Sequence, residues 1–502
     1  MEVRLMEVLA FILYFVLVLG IGITFFIRSK GAGEKEYFLG GRSIGPWIAA
    51  LSAQASDMSA WLLMGLPGSI IAFGLGQAWI GIGLALGTAL NWIFVAKRLR
   101  NFSAEANDSI TLPQYLSNRF ATKSPVLQIV SAIIFLVFFT VYVASSFVAG
   151  TSVFTTVFQG LSKETAMLIF AAIILAYTFL GGFKAVCWTD FFQGMLMLIA
   201  LVSVPIVAYV VMDMDASSLS QVYSYVDNGK VVDCTFTSNL FSASWKEIAS
   251  GLGWGLGYFG MPHILVRFMS IKDAKMVKKS AAIAIIWVVV ALLSVIVMAY
   301  FGRMTVAEEL LTQGKQSMVF IVLARKLFPS FIAGLLMAAI IAASMSTADS
   351  QLLVASSSFT SDIYKPVIRK NASDKEVLWI GRIVVLIVAI VAYFIASSNG
   401  SGAQAIMNMV ENAWAGFGSA FGPVIILSLF WRRFTYKGAV AGVIGGAVTD
   451  VLWLLFMSGT GIYEIIPGFI VGGVLAVVVT LLDKQPAPEV CAIFDAATKQ
   501  DN

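Results

Sequence analysis

The sequence is poor in the residues on which most protein chemistry depends. It holds one histidine, His263, and three cysteines, Cys187, Cys234 and Cys491, too far apart for a zinc pattern or a disulfide framework. With no metal cluster and no nucleophile-with-base arrangement, an integral-membrane enzyme has little chemistry available, and no cofactor is expected. Charge is scarce as well, at 12% of residues. The net charge of +5 sits in short loops between apolar runs, which points to orientation in a membrane and excludes nucleic acid as a partner.

Apolar residues fill the chain instead. They make up 59% of its 502 residues, and the mean hydropathy is +0.88. A polytopic membrane protein surrounded by lipid follows. The first apolar run has acidic Glu2 and Glu7 ahead of it and no small-residue cleavage site, so it is expected to be a retained span and not a signal peptide.

Runs of about 17–25 residues bounded by charge or turn signals predict thirteen spans. They are Val8–Ile27, Ile44–Phe73, Ala78–Val95, Val126–Phe158, Thr165–Phe179, Phe191–Val211, Ile248–Met269, Ala281–Tyr300, Phe331–Leu353, Val377–Ala396, Met407–Phe430, Ala439–Phe456 and Ile465–Leu482. With the N-terminus outside, 25 of the 33 basic residues fall on the cytoplasmic side, counting Arg267 and Arg382 with the inner ends of their spans. This asymmetry predicts an N-terminus outside and a C-terminus in the cytoplasm. The stretch from Asp213 to Lys246 then forms an outer loop, and Ser317–Leu327 a short amphipathic helix on the outer surface. No soluble output domain is expected.

Two spans look broken. The second contains SAQASDMSAW followed by MGLPGS, and the seventh contains SGLGWGLGYFGMPH. Gly and Pro clusters at mid-depth are tolerated where protein or a water-filled cavity satisfies the freed backbone, although such clusters also serve close helix packing. The two lie five spans apart and therefore cross in opposite directions, as in an inverted repeat of spans two to six against seven to eleven. The literal G-x-G-x-x-G in GLGYFG has no preceding strand and lies inside a span, so no dinucleotide site follows.

Asp57 stands in the first of these breaks. A carboxylate at that depth costs roughly 2.5–3.5 kcal/mol and usually faces a protein interior or an aqueous path. In the ninth span, AIIAASMSTADSQLLV places Ala343, Ser346 and Thr347 at i, i+3 and i+4 on one helix face. An oxygen-only set of this kind suits sodium, a hard monovalent cation, although Ser and Thr at such positions also bond back to the preceding turn. Asp349, further round the helix, is expected to be solvated at the interface, and His263 to be structural.

The stretches ASDMSAWLLMGLPG, WGLGYFGMPHILVRFM and SMSTADSQLLV, in this order and on these spans, resemble the sodium:solute symporter family, in particular its proline-transporting branch. The similarity continues through FLGGRSIGPW, FFTVYVAS, YTFLGGFKAVCWTD, AWAGFGSAFGP and YEIIPGF, covering nearly the whole chain. It implies an all-α membrane protein of thirteen transmembrane helices with a leucine-transporter-type core of five plus five inverted spans. Residues 1–43 would form the first helix and loop, 44–430 the transport core (repeats 44–211 and 248–430), and 431–502 two further helices and a tail.

The resemblance also implies function. It gives sodium-coupled uptake of L-proline across a bacterial-type plasma membrane, with no obligatory protein partner. Ala55, Met58, Ala343, Ser346 and Thr347 are expected to bind sodium. Asp57 and Ser59 would support that site, and Asp190, expected to open the sixth span on the cytoplasmic side, would serve ion passage or an additional sodium site. Gly65, Tyr142, Trp254, Tyr258 and Pro262 are expected to bind proline, with Trp254 and Tyr258 sharing a face wherever the helix persists. The alternatives are a sodium symporter for another small solute, and a sensor that keeps the transporter fold with little flux.

Overall fold

A computed structural model describes residues 2–28, 33–158, 160–227, 229–398 and 403–500. Ten of its helices are long and apolar enough to cross a membrane. Of the other expected spans, the second and seventh are each interrupted near the middle. The fifth lies in the front part of the helix Lys163–Val211, ahead of a break at Gly182 (φ 64°, ψ −177°). The polarity is that of a lipid-embedded protein. Large apolar side chains such as Leu17, Ile199 and Phe394 are exposed, while Asp57, Asp190, Arg267, Ser346 and Asp349 are buried.

The second span is a helix over Pro46–Asp57, a short 3₁₀ turn at Ala60–Leu62, and a second helix over Gly65–Phe73. Met58 (φ −80°, ψ 74°) leaves the helical region and ends the first half. Pro67 falls in the first turn of the second half, where a missing N–H costs nothing. The seventh span repeats the plan with Trp245–Gly253, a 3₁₀ segment Trp254–Phe259, and Pro262–Ser270. A capping box starts it: Ser244 Oγ accepts from the Glu247 amide at 3.3 Å, and the Glu247 carboxylate accepts from the Ser244 amide at 2.7 Å.

The two broken spans meet at both ends. At one end the Ile44 amide donates to Ser270 O (3.2 Å) and the Lys272 amide to Ile44 O (3.0 Å). At the other the Leu75 amide donates to Thr237 O at 2.9 Å. The start of one thus adjoins the end of the other, so they run in opposite directions. Arg42 reinforces the junction at Ile44, donating to Met269 O (2.5 Å), Ser109 O (2.8 Å) and Asp108 (2.7 Å). The third span presses on the seventh through bare glycines: a Cβ on Gly87 would lie 2.3 Å from Gly255 O.

Three expectations need correction. The sixth span does not begin at Phe191; residues Gly182 onward are already helical, because Lys184 and Asp190, which looked like loop charges, are paired with Glu36 and Arg267. Asp190 is therefore inside a span and fully buried. Asp349 is likewise buried and not solvated, because the ninth helix, Ser330–Phe359, has protein on every side: 83% of its apolar window is buried, against 28% for the first span. The loop from Asp213 to Lys246 also holds a β-hairpin, Tyr223–Asp227 with Lys230–Cys234, in register Tyr225 to Val232. Its signal, Asn-Gly between alternating apolar residues, was present in the sequence. The expected outer amphipathic helix forms over Val319–Leu327, with Val319, Phe320, Ile321, Leu323 and Ala324 buried.

Candidate functional site

The break in the second span faces the middle of the ninth helix. A helix leaves its last four carbonyls without intrahelical partners. That of Gln54 accepts from the Met58 amide, and that of Asp57 from the Ser59 amide. The Ala55 carbonyl is met from outside the helix by Ser346 Oγ at 2.7 Å, and the same hydroxyl is 3.2 Å from Ala343 O. Three of the five expected sodium ligands therefore converge. Beside them Thr347 Oγ1 is buried with no hydrogen-bond partner among the described residues, an orphan oxygen of the kind a cation satisfies. Met58 follows directly at the break, and Ser59, extended at ψ −170°, is buried next to it. The donor set is all oxygen, which fits sodium.

The Asp57 side chain reaches the seventh span. Its Oδ2 accepts from Tyr258 Oη at 2.5 Å, while Oδ1 is buried without a partner among the described residues. Tyr142 Oη reaches the Asp57 carbonyl at 3.5 Å. Asp57, expected to support the ion, thus touches two residues expected to bind solute: Tyr258 through its carboxylate and Tyr142 through its backbone carbonyl.

Trp254 and Tyr258 do not share a face as the i, i+4 spacing suggested. The segment is 3₁₀ with about three residues per turn, which turns position i+4 about 120° away from i. The two converge instead on Trp414, whose ring lies 6.4 Å from Trp254 and 5.0 Å from Tyr258 and whose Nε1 donates to Trp254 O at 2.8 Å. Trp61 (6.2 Å) and Tyr463 (5.3 Å) complete an aromatic cluster around Trp254. Sequence reasoning missed Trp61, Trp414 and Tyr463, because an aromatic lining a site and one packing a helix look alike. Gly65 opens the second half helix of its span, and a Cβ there would stand 2.6 Å from Met407 Sδ. Pro262 is the first residue of the second half helix of the seventh span.

Asp190 lies in a separate polar knot. Its Oδ2 accepts from Ser52 Oγ (2.7 Å) and Arg267 Nη2 (3.0 Å), and Arg267 also donates to Ser350 Oγ (2.5 Å) and His263 O (2.5 Å). Arginine, one turn beyond His263, was the partner that sequence reasoning overlooked. The His263 ring packs edge-on against Phe139 and Tyr142, at 5.8 and 6.5 Å.

Residues 37–446 match the model of the sodium:solute symporter family. The chain belongs to the sodium:solute symporter family. It is therefore an integral, multi-pass membrane transporter built around a leucine-transporter-type core, in a family whose members are symporters and not enzymes. Among curated relatives, the sodium/proline symporter of Escherichia coli K12 is 44% identical over 90% of this chain and 88% of its own length. That of Haemophilus influenzae is 42% identical over 98% of each chain, and that of Staphylococcus aureus 44% identical over 94% and 92%. Among solved structures, a sodium-coupled sialic acid symporter in a substrate-bound outward-open state superposes with a TM-score of 0.77 at 19% identity, covering 96% of this chain and 98% of that one. A nucleobase-cation-symport-1 family transporter in a closed conformation gives 0.53 at 12% identity, covering 92% and 98%. At these identities both show the fold this family member shares.

Proposed function

We propose that this transporter carries L-proline and sodium together from outside to cytoplasm by alternating access. The observation that carries the ion half is the single Ser346 hydroxyl spanning the Ala55 and Ala343 carbonyls, with the orphan Thr347 hydroxyl beside it. The solute half is supported by the sodium/proline symporters that match this chain over most of their length.

Sodium entering between the second and ninth spans takes the Ala55, Met58 and Ala343 carbonyls and the Ser346 and Thr347 hydroxyls as ligands. Ser346 then turns its proton away from the Ala55 carbonyl and presents a lone pair to the ion. The partial negative charge at the C-terminal end of Pro46–Asp57 favours the cation. The solute carboxylate meets the N-terminal end of Gly65–Phe73, where the helix dipole is positive, and its ammonium and ring meet the aromatic group of Trp254, Tyr258 and Tyr142. Asp57, with Ser59 beside it, supports the ion site and through Tyr258 links it to the solute site. Proline carries no net charge, so one coupled sodium makes each cycle worth about 2.3 kcal/mol per 100 mV of membrane potential.

The basic-residue asymmetry supports an N-terminus outside and a C-terminus inside. Thirteen spans, with residues 44–211 and 248–430 as the two inverted repeats, complete the reading. Purified protein in liposomes with an inward sodium gradient is expected to accumulate labelled proline above equilibrium. Replacing sodium with potassium is expected to abolish accumulation, and equal uptake in both salts would falsify the coupling. Uptake competition by other amino acids, sugars and nucleobases tests the reading as a symporter for a different solute.

A further inference from the structure

The first span stands outside the inverted repeat, yet one of its hydroxyls reaches two elements that frame the ion site. Tyr14 is the thirteenth residue of the 27-residue helix Glu2–Arg28 and is buried, so it does not belong to the aromatic belt that marks a membrane interface. Its Oη accepts a hydrogen bond from Gln193 Nε2 at 2.8 Å and donates towards Met345 Sδ at 3.8 Å.

Both partners matter by position. Gln193 precedes Gly194, where a Cβ would stand 3.3 Å from Ala55 Cβ and 3.4 Å from Leu51 O. This turn of the sixth span therefore bears on the residue whose carbonyl opens the ion site. Met345 precedes Ser346 on the ninth helix. The phenol oxygen is thus a joint between the element backing Ala55 and the element carrying Ala343, Ser346 and Thr347.

The joint is anchored. Seven residues earlier, about 10 Å along the helix at 1.5 Å per residue, Glu7 receives two hydrogen bonds from Arg325, at 2.9 and 2.7 Å. The first and ninth helices touch closely there, since a Cβ on Gly334 would lie 2.8 Å from Glu7 Cα. With that contact fixed, the Tyr14 hydroxyl sets how far the sixth span stands from the ninth helix.

We propose that Tyr14 is a positioning residue for sodium: by holding Gln193 and Met345 it sets the spacing between the Ala55 carbonyl and the oxygens of the ninth helix, and with it ion affinity and size preference. This rests on the sodium-site reading above. The first span then acts as part of the ion site and not only as a lipid-facing flank.

Sodium and lithium titrations of the purified full chain, with and without proline, test the idea in Tyr14→Phe, Gln193→Leu and Thr347→Val. Tyr14→Phe removes only the hydroxyl, and Gln193→Leu cuts the same bond from the other side should the first variant fold poorly. Losing one net hydrogen bond is expected to raise the sodium needed for half-saturation about two- to tenfold in each. The lithium-to-sodium affinity ratio should shift by at least about threefold, because the smaller ion samples a changed spacing differently. Proline affinity at saturating sodium should stay within about twofold, since linkage acts through the ion. A general loss of stability would leave the ion ratio unchanged. Impaired Thr347→Val with unaltered ion affinities and ion ratio in both Tyr14→Phe and Gln193→Leu overturns the positioning role and leaves the sodium site standing. Normal sodium affinity in Thr347→Val removes the site reading and this inference with it.

Discussion

In the proposed reading the hydrogen bond from Tyr258 to Asp57 connects the sodium and solute sites, and Tyr258→Phe isolates it. The substitution removes one oxygen and leaves the ring that packs on Trp414. The Asp57 Oδ2 then loses its donor, and Oδ1 already lacks one among the described residues. A hydrogen bond to a charged acceptor contributes about 1.5–3 kcal/mol. Coupling between two ligand sites is typically about 1–3 kcal/mol, or 5- to 150-fold in affinity. The single bond is therefore large enough to carry the whole of the coupling. Calorimetric titration of proline at zero sodium (choline replacing it) and at saturating sodium gives the ratio that measures this coupling. In Tyr258→Phe the ratio is expected to fall at least about tenfold towards unity, while sodium affinity measured without proline changes less than about threefold. Because the ratio compares two proline affinities in the same variant, any lost contact between Tyr258 and proline cancels. An undiminished ratio in a well-folded variant would refute transmission through Asp57.

Thr347→Val should weaken sodium binding even without proline, with proline affinity partly restored at saturating sodium, whereas Trp254→Ala should leave sodium binding near wild type and lower proline affinity by about 2 kcal/mol, roughly thirtyfold. Separate titrations of the two ligands check both, and the reverse pattern would exchange the sites. Asp57→Asn keeps the shape and removes the charge, so sodium-dependent uptake should need a markedly higher sodium concentration, read from initial rates. Arg267→Met leaves Asp190 buried without its cation and should cost about 3–5 kcal/mol, seen as rapid thermal inactivation that a second change, Asp190→Leu, largely reverses. Gly257→Ala places a Cβ 2.0 Å from Trp414 Nε1 and should displace the indole, giving weak proline binding with sodium binding retained in equilibrium titrations.

Backbone breaks were readable because Gly and Pro act locally. The glycines around Trp254 interrupt the seventh span as their residue type requires, whereas the second span already leaves the helix at Met58, seven residues ahead of Gly65. The Ala343, Ser346 and Thr347 face was readable for a related reason: within one regular helix, spacing determines direction. Where the geometry itself changed, spacing misled, as with Trp254 and Tyr258 on a 3₁₀ segment. The partner of Asp190 was hidden because Arg267 is 77 residues away, and a charge inside an apolar stretch shows only that some partner exists. The burial of Asp349 was missed similarly, since a helix surrounded by protein and one facing lipid have much the same composition on one side.

The backbone link between Ile44 and Ile271 bears on how the molecule opens. Two main-chain hydrogen bonds and the Arg42 bolt make these ends of the two broken spans a single piece, so neither can swing without carrying the other. Both spans also meet the ninth helix, the second where Ser346 donates to the Ala55 carbonyl at the proposed ion site and the seventh where Arg267 donates to Ser350. In the proposed reading sodium is a removable rivet at the first of these contacts: its departure loosens the joined ends from the ninth helix at Ala55, and the Arg267–Ser350 hydrogen bond must part as well before they move.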